Sequence, residues 1–284
     1  MNIIKQITKK SSKNKKNEKL ELLNKRYYCL EEVGRGGLSI VYKAIDIYSD
    51  YFGKNSNIVI KIPTKELLEK DDIAAFVYSE YRFLRRLSLD SIVKVLDFGI
   101  DKKTNLPFLV LEYIEGELLS ESNLIDISKD KKDLIFKSLC ESLKYIHDKG
   151  IVHSDISPTN IIINNDLRPI IFDFGISQDI TKENSLSLEY KKIKAINPKY
   201  CAPELFEENS KPTKSSDIFS LAVLLYEIYS EKPLFEESSK ELYSLPIDKR
   251  DLSKIPFFLR KWFKRNLSLD EKRRILEKKY LFYL

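Results

Sequence analysis

The sequence predicts an α+β fold in two lobes: a small antiparallel β-sheet lobe with one helix, followed by a larger and mainly helical lobe. Short runs of β-branched and aromatic residues dominate up to residue 113, whereas longer amphipathic runs dominate after it. Strands that precede helices in this way are typical of an α+β chain. The length of 284 residues and the hydrophobic content of 43% allow a substantial core and exclude a disordered chain.

The first lobe is predicted from strand-like runs that are separated by Gly, Asn, Asp or Pro. These runs are residues 27–33, 40–47, 58–62, 92–98 and 108–113. One helix is predicted over residues 71–87, because apolar side chains recur at helical spacing at positions 73, 76, 77, 84 and 87.

The second lobe is predicted to be helical over residues 131–149, 216–229, 257–266 and 270–279. Its exception is a hairpin formed by residues 161–163 and 170–172. The linking residues Asn164-Asn165-Asp166 have the composition of a turn.

No apolar run is long enough to span a membrane, and the N-terminus lacks the continuous apolar stretch of a signal peptide. The three cysteines lie far apart without a CxxC pair, and only two histidines accompany them. This pattern argues against both a zinc site and a disulfide scaffold. We therefore expect a cytoplasmic protein without a transmembrane segment.

The net charge of +6 is distributed unevenly along the chain. Residues 1–26 carry +7, whereas residues 27–284 carry −1. We predict a basic mobile tail over residues 1–25 and a folded domain over residues 26–284. A nearly neutral body excludes a basic nucleic-acid-binding domain, so no specific nucleic acid partner is expected. The tail is either a solvated leader or a tether to an anionic partner or membrane surface.

A glycine-rich loop, Gly34-Arg35-Gly36-Gly37, lies between two predicted strands. Glycine lets the backbone turn tightly and approach a ligand, and the amides of such a loop can face phosphate oxygens. A plain hairpin turn also favours glycine. The loop precedes a strand that contains Val41 rather than a helix, which excludes the Rossmann and Walker phosphate loops.

Lys61 lies within the apolar run Ile58-Val59-Ile60-Lys61-Ile62. A lysine in a buried strand requires an anion, unless it reaches solvent from an edge strand. Glu80 is a candidate partner because its spacing from Val77 and Leu84 places it on the inward stripe of the predicted helix. A buried carboxylate and a buried ammonium stabilise each other.

Two polar clusters flank the predicted hairpin. Asp155 and Asn160 precede it, and Asp173 follows it directly. If the two strands pair, Asn160 and Asp173 lie opposite one another with Asp155 nearby. Two carboxylates and an amide oxygen suit a hard cation such as magnesium, which also takes water and phosphate ligands. The alternative is a polar loop that is stabilised by Asx turns.

Taken in order, these motifs resemble the eukaryotic-type (Hanks-type) serine/threonine protein kinases, which also occur in bacteria and phages. The resemblance spans residues 27–276. The matching motifs are Gly34-x-Gly36-x-x-Ser39-x-Val41, Ile-Val-Ile-Lys61, Glu80, His153-x-Asp155-x-x-x-x-Asn160, Asp173-Phe-Gly, Ala202-Pro203-Glu204, Ser216-Asp217 and Arg274. It implies a bilobal protein-kinase-like fold with an N-lobe over residues 26–113 and a C-lobe over residues 114–284.

The resemblance implies ATP as cofactor, with the glycine-rich loop covering its phosphates. The adenine would lie between the side chains of Val33, Val41 and Val59 and would meet backbone groups of Glu112 and Ile114.

The resemblance also implies the roles of the charged residues. Lys61, held by Glu80, would contact the α- and β-phosphates. Asn160 and Asp173 would hold magnesium, and Asp155 would accept or orient the hydroxyl proton of a protein substrate.

Four further residues are implied to be structural. His153 would be a packing residue and Asp217 would brace the loop around it. Glu204 would pair with Arg274. His147, in a predicted helix four residues after Leu143, is also expected to be structural rather than a ligand.

Four positions depart from the family pattern. Ser39 replaces the third glycine of the loop, and Ser154 replaces an arginine that in many members pairs with a phosphorylated loop. Ser157 replaces a phosphate-facing lysine, and Asn197 replaces a threonine that contacts it. We interpret the last two changes as a rebuilt local network.

The sequence favours an active kinase that phosphorylates Ser or Thr of a protein, but two alternatives remain. A pseudokinase, or ATP-binding interaction module, would explain Ser154 and Ser157. A small-molecule kinase of the aminoglycoside or choline type also tolerates the loss of the lysine at position 157. Ala202-Pro203-Glu204 and Asp217 favour the protein-kinase branch. Tyrosine specificity is not excluded.

Overall fold

The computed structural model describes residues 22–54, 56–70, 72–122, 127–181 and 197–277. Within these ranges the chain forms the two expected lobes, the first rich in strands and the second in helices. Among the described helices, none is both long and apolar enough to cross a membrane.

A five-stranded antiparallel sheet forms the first lobe. Its strands are β1 (Tyr27–Arg35), β2 (Ser39–Asp46), β3 (Asn57–Pro63), β4 (Val95–Ile100) and β5 (Pro107–Glu112). Their spatial order is β1-β2-β3-β5-β4, so β3 lies at the centre of the sheet. The predicted strand at 92–98 begins later, at Val95, because Ile92 and Val93 instead pair with Ile171 of the second lobe.

The described part of the first lobe contains three helices, whereas the sequence predicted one. They are α1 (Ile47–Tyr51), α2 (Lys65–Leu68) and α3 (Ile73–Leu84). The first two are too short to show a helical period in the sequence, and the predicted helix corresponds to α3. That helix is shorter than expected and follows Asp72, whose φ of 63° is left-handed. Residue 71, the predicted start, lies outside the described residues.

Three helices of the second lobe confirm the predicted ones to within two residues at each end. They are α4 (Lys129–Asp148), α5 (Lys214–Ser230) and α6 (Phe257–Asn266). Short strands complete this lobe: β6 (Gly116–Leu118), β7 (Ile151–Val152), β8 (Ile161–Asn164), β9 (Pro169–Ile171) and β10 (Gln178–Asp179). The strands β8 and β9 form the predicted hairpin, with Ile161 opposite Ile171.

The predicted helix over residues 270–279 is wrong. Only a 3-10 turn forms, at Glu271–Arg273, and Arg274 is already extended, with φ of −76° and ψ of 126°. The buried side chain of Arg274 reaches Glu204, and the N–H of Ile275 donates to Asn266 Oδ1 at 2.8 Å. These tertiary bonds replace the helical ones. Residues 278 and 279 lie outside the described part of the chain.

The predicted start of the folded domain at residue 26 is also too late. Leu23 is only 3% exposed, and it forms an isolated β-bridge with Tyr27. The Asn24 side chain donates to the carbonyl of Ile100 and accepts from the N–H of Lys102. These contacts attach residues 23–25 to the sheet. The rest of the predicted tail, residues 1–21, lies outside the described residues.

Two apolar clusters form the core. One fills the outer side of the first-lobe sheet and includes Tyr27, Ile60 and Phe108. The other is continuous from Val77 and Leu84 of α3 into the second lobe. The face of α3 that carries Glu80 is therefore held against both lobes.

Candidate active site

The candidate site is organised by Lys61 of β3, whose ammonium group contacts two carboxylates. Its Nζ lies 2.7 and 2.8 Å from the two oxygens of Glu80 and 2.8 Å from Asp173 Oδ1. Lys61 is 8% exposed and Glu80 is 3% exposed. The predicted Lys61–Glu80 pair is present, and the structure adds Asp173 to it.

Lys61 stabilises both carboxylates, whereas burial and the neighbouring charge of Asp173 raise the pKa of Glu80. Burial alone would lower the pKa of Lys61, but the adjacent Asp173 and Glu80 raise it above its ordinary value. Burial would likewise raise the pKa of Asp173, but the charge and hydrogen bond of Lys61 lower it. Lys61 and Asp173 are therefore both ionised at neutral pH.

Backbone groups fix Asp173 and the two residues after it. The Phe174 N–H donates to Glu80 Oε1 at 3.2 Å, and the Gly175 N–H donates to Asp173 Oδ1 at 3.1 Å. A Cβ at Gly175 would lie 3.1 Å from that same oxygen, so glycine permits the close approach. Asp173 itself has a left-handed φ of 62°. The segment after β9 is thus tied directly to α3.

Asp155 and Asn160 meet in the loop before β8, where a 3-10 turn at Pro158–Asn160 orients the amide. Asn160 Nδ2 donates to Asp155 Oδ2 at 2.7 Å and to the Asp155 carbonyl at 2.9 Å. The Phe172 N–H donates to the carbonyl of Asn160 at 3.0 Å, so Asn160 and Asp173 lie on adjacent strand ends. Asp155 thus lies beside Asn160 as predicted, whereas Asn160 lies opposite Phe172 rather than directly opposite Asp173.

Asp155 is half-buried. Burial raises its pKa to about 6, although the hydrogen bond from Asn160 opposes this shift. A carboxylate with a pKa near neutrality is a better proton acceptor than an ordinary aspartate.

His153 lies beside this aspartate but is a packing residue. Burial lowers the pKa of its fully buried ring, which keeps the ring neutral. Nε2 lies 3.2 Å from the carbonyl of Phe172, and Nδ1 accepts from the N–H of Asp155 at 3.3 Å. These bonds assign the hydrogen to Nε2. The ring also contacts Phe174 edge to face, with the centroids 4.6 Å apart.

Asp217, near the start of α5, holds the backbone of the same loop. Its carboxylate accepts from the N–H groups of His153 and Ser154 at 2.8 and 2.9 Å and lies 2.9 Å from His147 Nε2. Ser154 has a left-handed φ of 74°, so these bonds stabilise a conformation that is costly for serine. Both Asp217 and His147 have the structural positions that the sequence predicted.

The remaining oxygens suit a divalent cation. Within the described residues, Asn160 Oδ1 and Asp173 Oδ2 make no hydrogen bond, and both are hard oxygen donors of the kind magnesium prefers. The described residues contain no group of three or more His, Cys, Asp or Glu side chains that could hold a metal. A cation at Asn160 and Asp173 would therefore need further oxygens from water or a phosphate.

Of the three expected adenine-contacting residues, Val41 and Val59 share one face of the sheet with Lys61, whereas Val33 lies at a bulge of β1. Val41 of β2 pairs with Gly34 of β1 and with Lys61 of β3. Val59 pairs with Leu111, and Val33 is 48% exposed.

The expected hinge residues follow at the end of β5. Glu112 is fixed there, because its carboxylate accepts from the Lys94 N–H at 2.8 Å and its own N–H donates to the Lys94 carbonyl. Ile114 follows and packs against the continuous core.

The predicted glycine-rich loop corresponds to the end of β1, which contains Gly34 and Arg35, and to the β1–β2 turn, which contains Gly36 and Gly37. The Gly36 N–H donates to the carbonyl of Ser39 at 2.9 Å, and Gly36 and Gly37 are exposed. The Arg35 guanidinium pairs with Glu32 at 2.6 Å, which holds this side chain along β1.

Sequence reasoning missed an ion pair that links α3 to the segment after Gly175. Arg86 Nη1 lies 2.6 Å from Asp179 Oδ2, and Arg86 also donates to the carbonyl of Lys149. Asp179 belongs to β10, which pairs with β7. The two partners are 93 residues apart, and no local pattern marks either one.

Two of the four substituted positions, Ser157 and Asn197, have hydrogen-bond partners close in the sequence. The hydroxyl of Ser157 lies 2.8 Å from that of Thr159, and Asn197 Oδ1 accepts from the Lys199 N–H at 3.2 Å. Each of these two hydrogen bonds joins residues that are two positions apart in the sequence. The side chains of Ser157 and Asn197 are too short to bridge the loop to each other. Glu204 and Arg274 form the expected bidentate pair at 2.6 and 2.9 Å.

Comparison with known proteins gives one family. The model of the protein kinase domain matches residues 27–278. Cyclin-dependent kinase 12 of Caenorhabditis elegans is 31% identical over 75% of this chain. A probable serine/threonine-protein kinase of Clostridium acetobutylicum is 28% identical over 84% of it. The probable serine/threonine-protein kinase PknB of Corynebacterium glutamicum is 30% identical over 75% of it.

These relatives are longer proteins. The matched region is 30%, 36% and 33% of their respective lengths. The similarity therefore concerns one domain of each relative.

The bracing role of Asp217 makes a prediction about stability. Asp217→Asn replaces one acceptor oxygen by an N–H₂ group, which leaves a buried backbone N–H without a partner. We expect the free energy of unfolding, measured by urea denaturation, to fall by about 1–3 kcal/mol. The control is Asp248→Asn, which removes an exposed ion pair with Lys264 and should change stability by less than about 1 kcal/mol. Equal effects of the two substitutions would contradict the bracing role.

Proposed function

Because the chain belongs to the protein kinase domain family, we propose that it transfers the γ-phosphoryl group of ATP to Ser or Thr hydroxyls of a protein substrate, with magnesium as the metal. The observation that carries this proposal is the contact of Lys61 with both Glu80 and Asp173, in a site where Asp155 and Asn160 also meet. The ionised forms of Lys61 and Asp173 are those required for phosphate and metal binding.

The chain supplies positioning and charge to the transfer. ATP provides the phosphoryl group, and a divalent cation neutralises part of its charge. The turn from Gly34 to Gly37 would cover the phosphates, and the ammonium of Lys61 would contact them while Glu80 holds its direction. Asn160 Oδ1 and Asp173 Oδ2 would bind the metal. Fixed donors of this kind act without reorganisation during the reaction.

Asp155 would orient the attacking hydroxyl and accept its proton. Asn160 fixes the Asp155 carboxylate through a 2.7 Å hydrogen bond, and Asp217 fixes the backbone of the loop that contains it. His153 is neutral and engaged by backbone groups, so we assign no proton transfer to it.

A protein substrate is supported by the region after the site. Glu204 and Arg274 form an ion pair in which the Arg274 side chain is fully buried, and this pair anchors the segment that begins at Pro203. The bacterial relatives named above are described as serine/threonine-protein kinases, which favours Ser and Thr over Tyr.

A second candidate function is an ATP-binding interaction module without transfer activity. The observation that favours it is Ser157, which stands at the position of a phosphate-facing lysine and is bonded to Thr159 instead. The two functions differ in one measurable quantity, the transfer of labelled phosphate to a protein.

The decisive experiment compares the wild-type chain with Asp155→Asn in a radiolabelled phosphotransfer assay on a general protein substrate. We expect transfer by the wild type and a loss of about 10²–10⁴-fold in the variant, because the amide cannot accept a proton. Asp166→Asn, an exposed position in the β8–β9 turn, is the matched control and should keep full activity. Wild-type transfer no greater than that of Asp155→Asn would favour the interaction module.

The pH dependence follows from the raised pKa of Asp155, which is about 6. The carboxyl group accepts a proton only in its ionised form, so activity is present above this pKa and is lost as the pH falls through it. We expect kcat/KM to fall about tenfold per pH unit below about pH 6. Circular dichroism over the same range separates this loss from unfolding. A profile that stays flat down to about pH 4 would exclude Asp155 as the proton acceptor.

For residues 1–25 we propose an electrostatic tether to an anionic partner or membrane surface. Residues 1–26 carry +7 next to a body of −1, and residues 1–21, which precede the described fold, supply +5 of this charge. Cations near an anionic membrane contribute about 1 kcal/mol each. We propose that the protein acts in the cytoplasm, where ATP and anionic membrane surfaces occur together.

The tether is tested with a chain that begins at residue 22, since residues 23–25 pack on the sheet. We expect the full chain to sediment with phosphatidylserine vesicles at low salt, and the truncated chain to remain in solution with unchanged phosphotransfer. Equal sedimentation of the two chains would contradict the tether.

A further inference from the structure

A concave basic surface lies at the base of the second lobe, and it shares no lining residue with the candidate site. One wall is formed by Leu242 and residues 246–248. The other is formed by side chains of α6 and of the turn that follows it, namely Lys261, Lys264, Arg265, Leu267, Ser268, Leu269, Lys272 and Arg273. The space between them has a volume of about 740 Å³. We call this surface the basic cleft.

The charge of the basic cleft is strongly one-sided. Five of its lining residues are cations: Lys261, Lys264, Arg265, Lys272 and Arg273. Asp248 is its acidic lining residue. Because residues 27–284 together carry −1, this local excess is not a general property of the body.

Two of the five cations already have anionic partners. Lys264 pairs with Asp248 at 2.9 Å, and Arg265 pairs with Glu277. Within the described residues, the side chains of the other three cations, Lys261, Lys272 and Arg273, form no ion pair, and all three are exposed. Three like charges on one concave surface repel one another, and an anionic ligand would relieve that repulsion.

Apolar side chains lie between the charges. Leu242, Ile247 and Leu267 lie behind the surface and are buried, whereas Leu269 is 41% exposed at the rim. A ligand that places acidic groups on the cations and an apolar group on Leu269 would match both properties. An extended peptide presents alternate side chains to opposite sides and can therefore satisfy both.

Other anionic ligands match the cleft less well. The lining contains no Phe, Tyr, Trp or His, which are the residues on which single-stranded nucleic acids stack. A membrane surface cannot enter a concave space between two walls. The basic N-terminal segment of this chain is repelled by the same charges.

We propose that the basic cleft docks an acidic segment of another protein, in which Asp or Glu alternates with apolar residues. Lys261, Lys272 and Arg273 bind its carboxylates, and Leu269 contacts its apolar side chains. The cleft would thereby hold a partner at a distance from the site of phosphoryl transfer.

The test uses the full chain and a labelled peptide of about eight residues, roughly 26 Å when extended, in which glutamate and leucine alternate. Fluorescence anisotropy gives its affinity, and hydrogen exchange shows which amides it protects. The variant carries Lys261→Glu, Lys272→Glu and Arg273→Glu. The control carries Lys54→Glu, Lys102→Glu and Lys103→Glu, which are exposed positions in the first lobe with the same change in charge.

We expect protection of residues 261–273 in the wild type and in the control, with loss of that protection in the cleft variant. The affinity of the cleft variant should fall at least about tenfold, because like charges then face each other. Protection confined to residues 1–25, or equal affinities for the two variants, would overturn the proposal. So would stronger protection of the cleft by single-stranded RNA or phosphatidylserine vesicles than by the peptide. None of these measurements depends on phosphotransfer, so the outcome is independent of the proposed function.

Discussion

The site depends on one constraint, the need of a buried ammonium group for anions. Lys61 occupies the central strand of the first-lobe sheet, where it is almost inaccessible to water. Glu80 of the same lobe and Asp173 of the other lobe each form an ion pair with this ammonium group. Because each lobe supplies one carboxylate, the charge of a single side chain fixes the position of α3 and the conformation of the segment after β9.

A second constraint, on the loop that carries Asp155, is met in a different way. The backbone there adopts a left-handed conformation at Ser154, and Asp217 stabilises it by accepting two N–H groups. Arg86 and Asp179 add a link between the end of α3 and β10. Together these bonds place Lys61, Asp155, Asn160 and Asp173 on structural elements that are each held at more than one point.

The sequence predicted those features that have local or periodic causes. The helical stripe placed Glu80 opposite Lys61, as the structure shows. The hairpin pairing was expected to place Asn160 opposite Asp173, but the register places it opposite Phe172, one residue earlier. Contacts between residues that are distant in the sequence could not be predicted from it. The chain from Arg274 onward has helical composition, but its ion pair with Glu204 and the bond of Ile275 to Asn266 extend it. Likewise, nothing near Leu23 in the sequence indicates that it packs on the sheet.

The continuous apolar cluster has a consequence for how the chain folds. It joins Val77 and Leu84 of α3 to the helices of the second lobe without interruption. A chain cut between the lobes would leave the inward face of α3 without its partners, so the first lobe lacks part of its own core. The two lobes therefore share one core and do not fold independently. We expect the domain to unfold in a single cooperative transition.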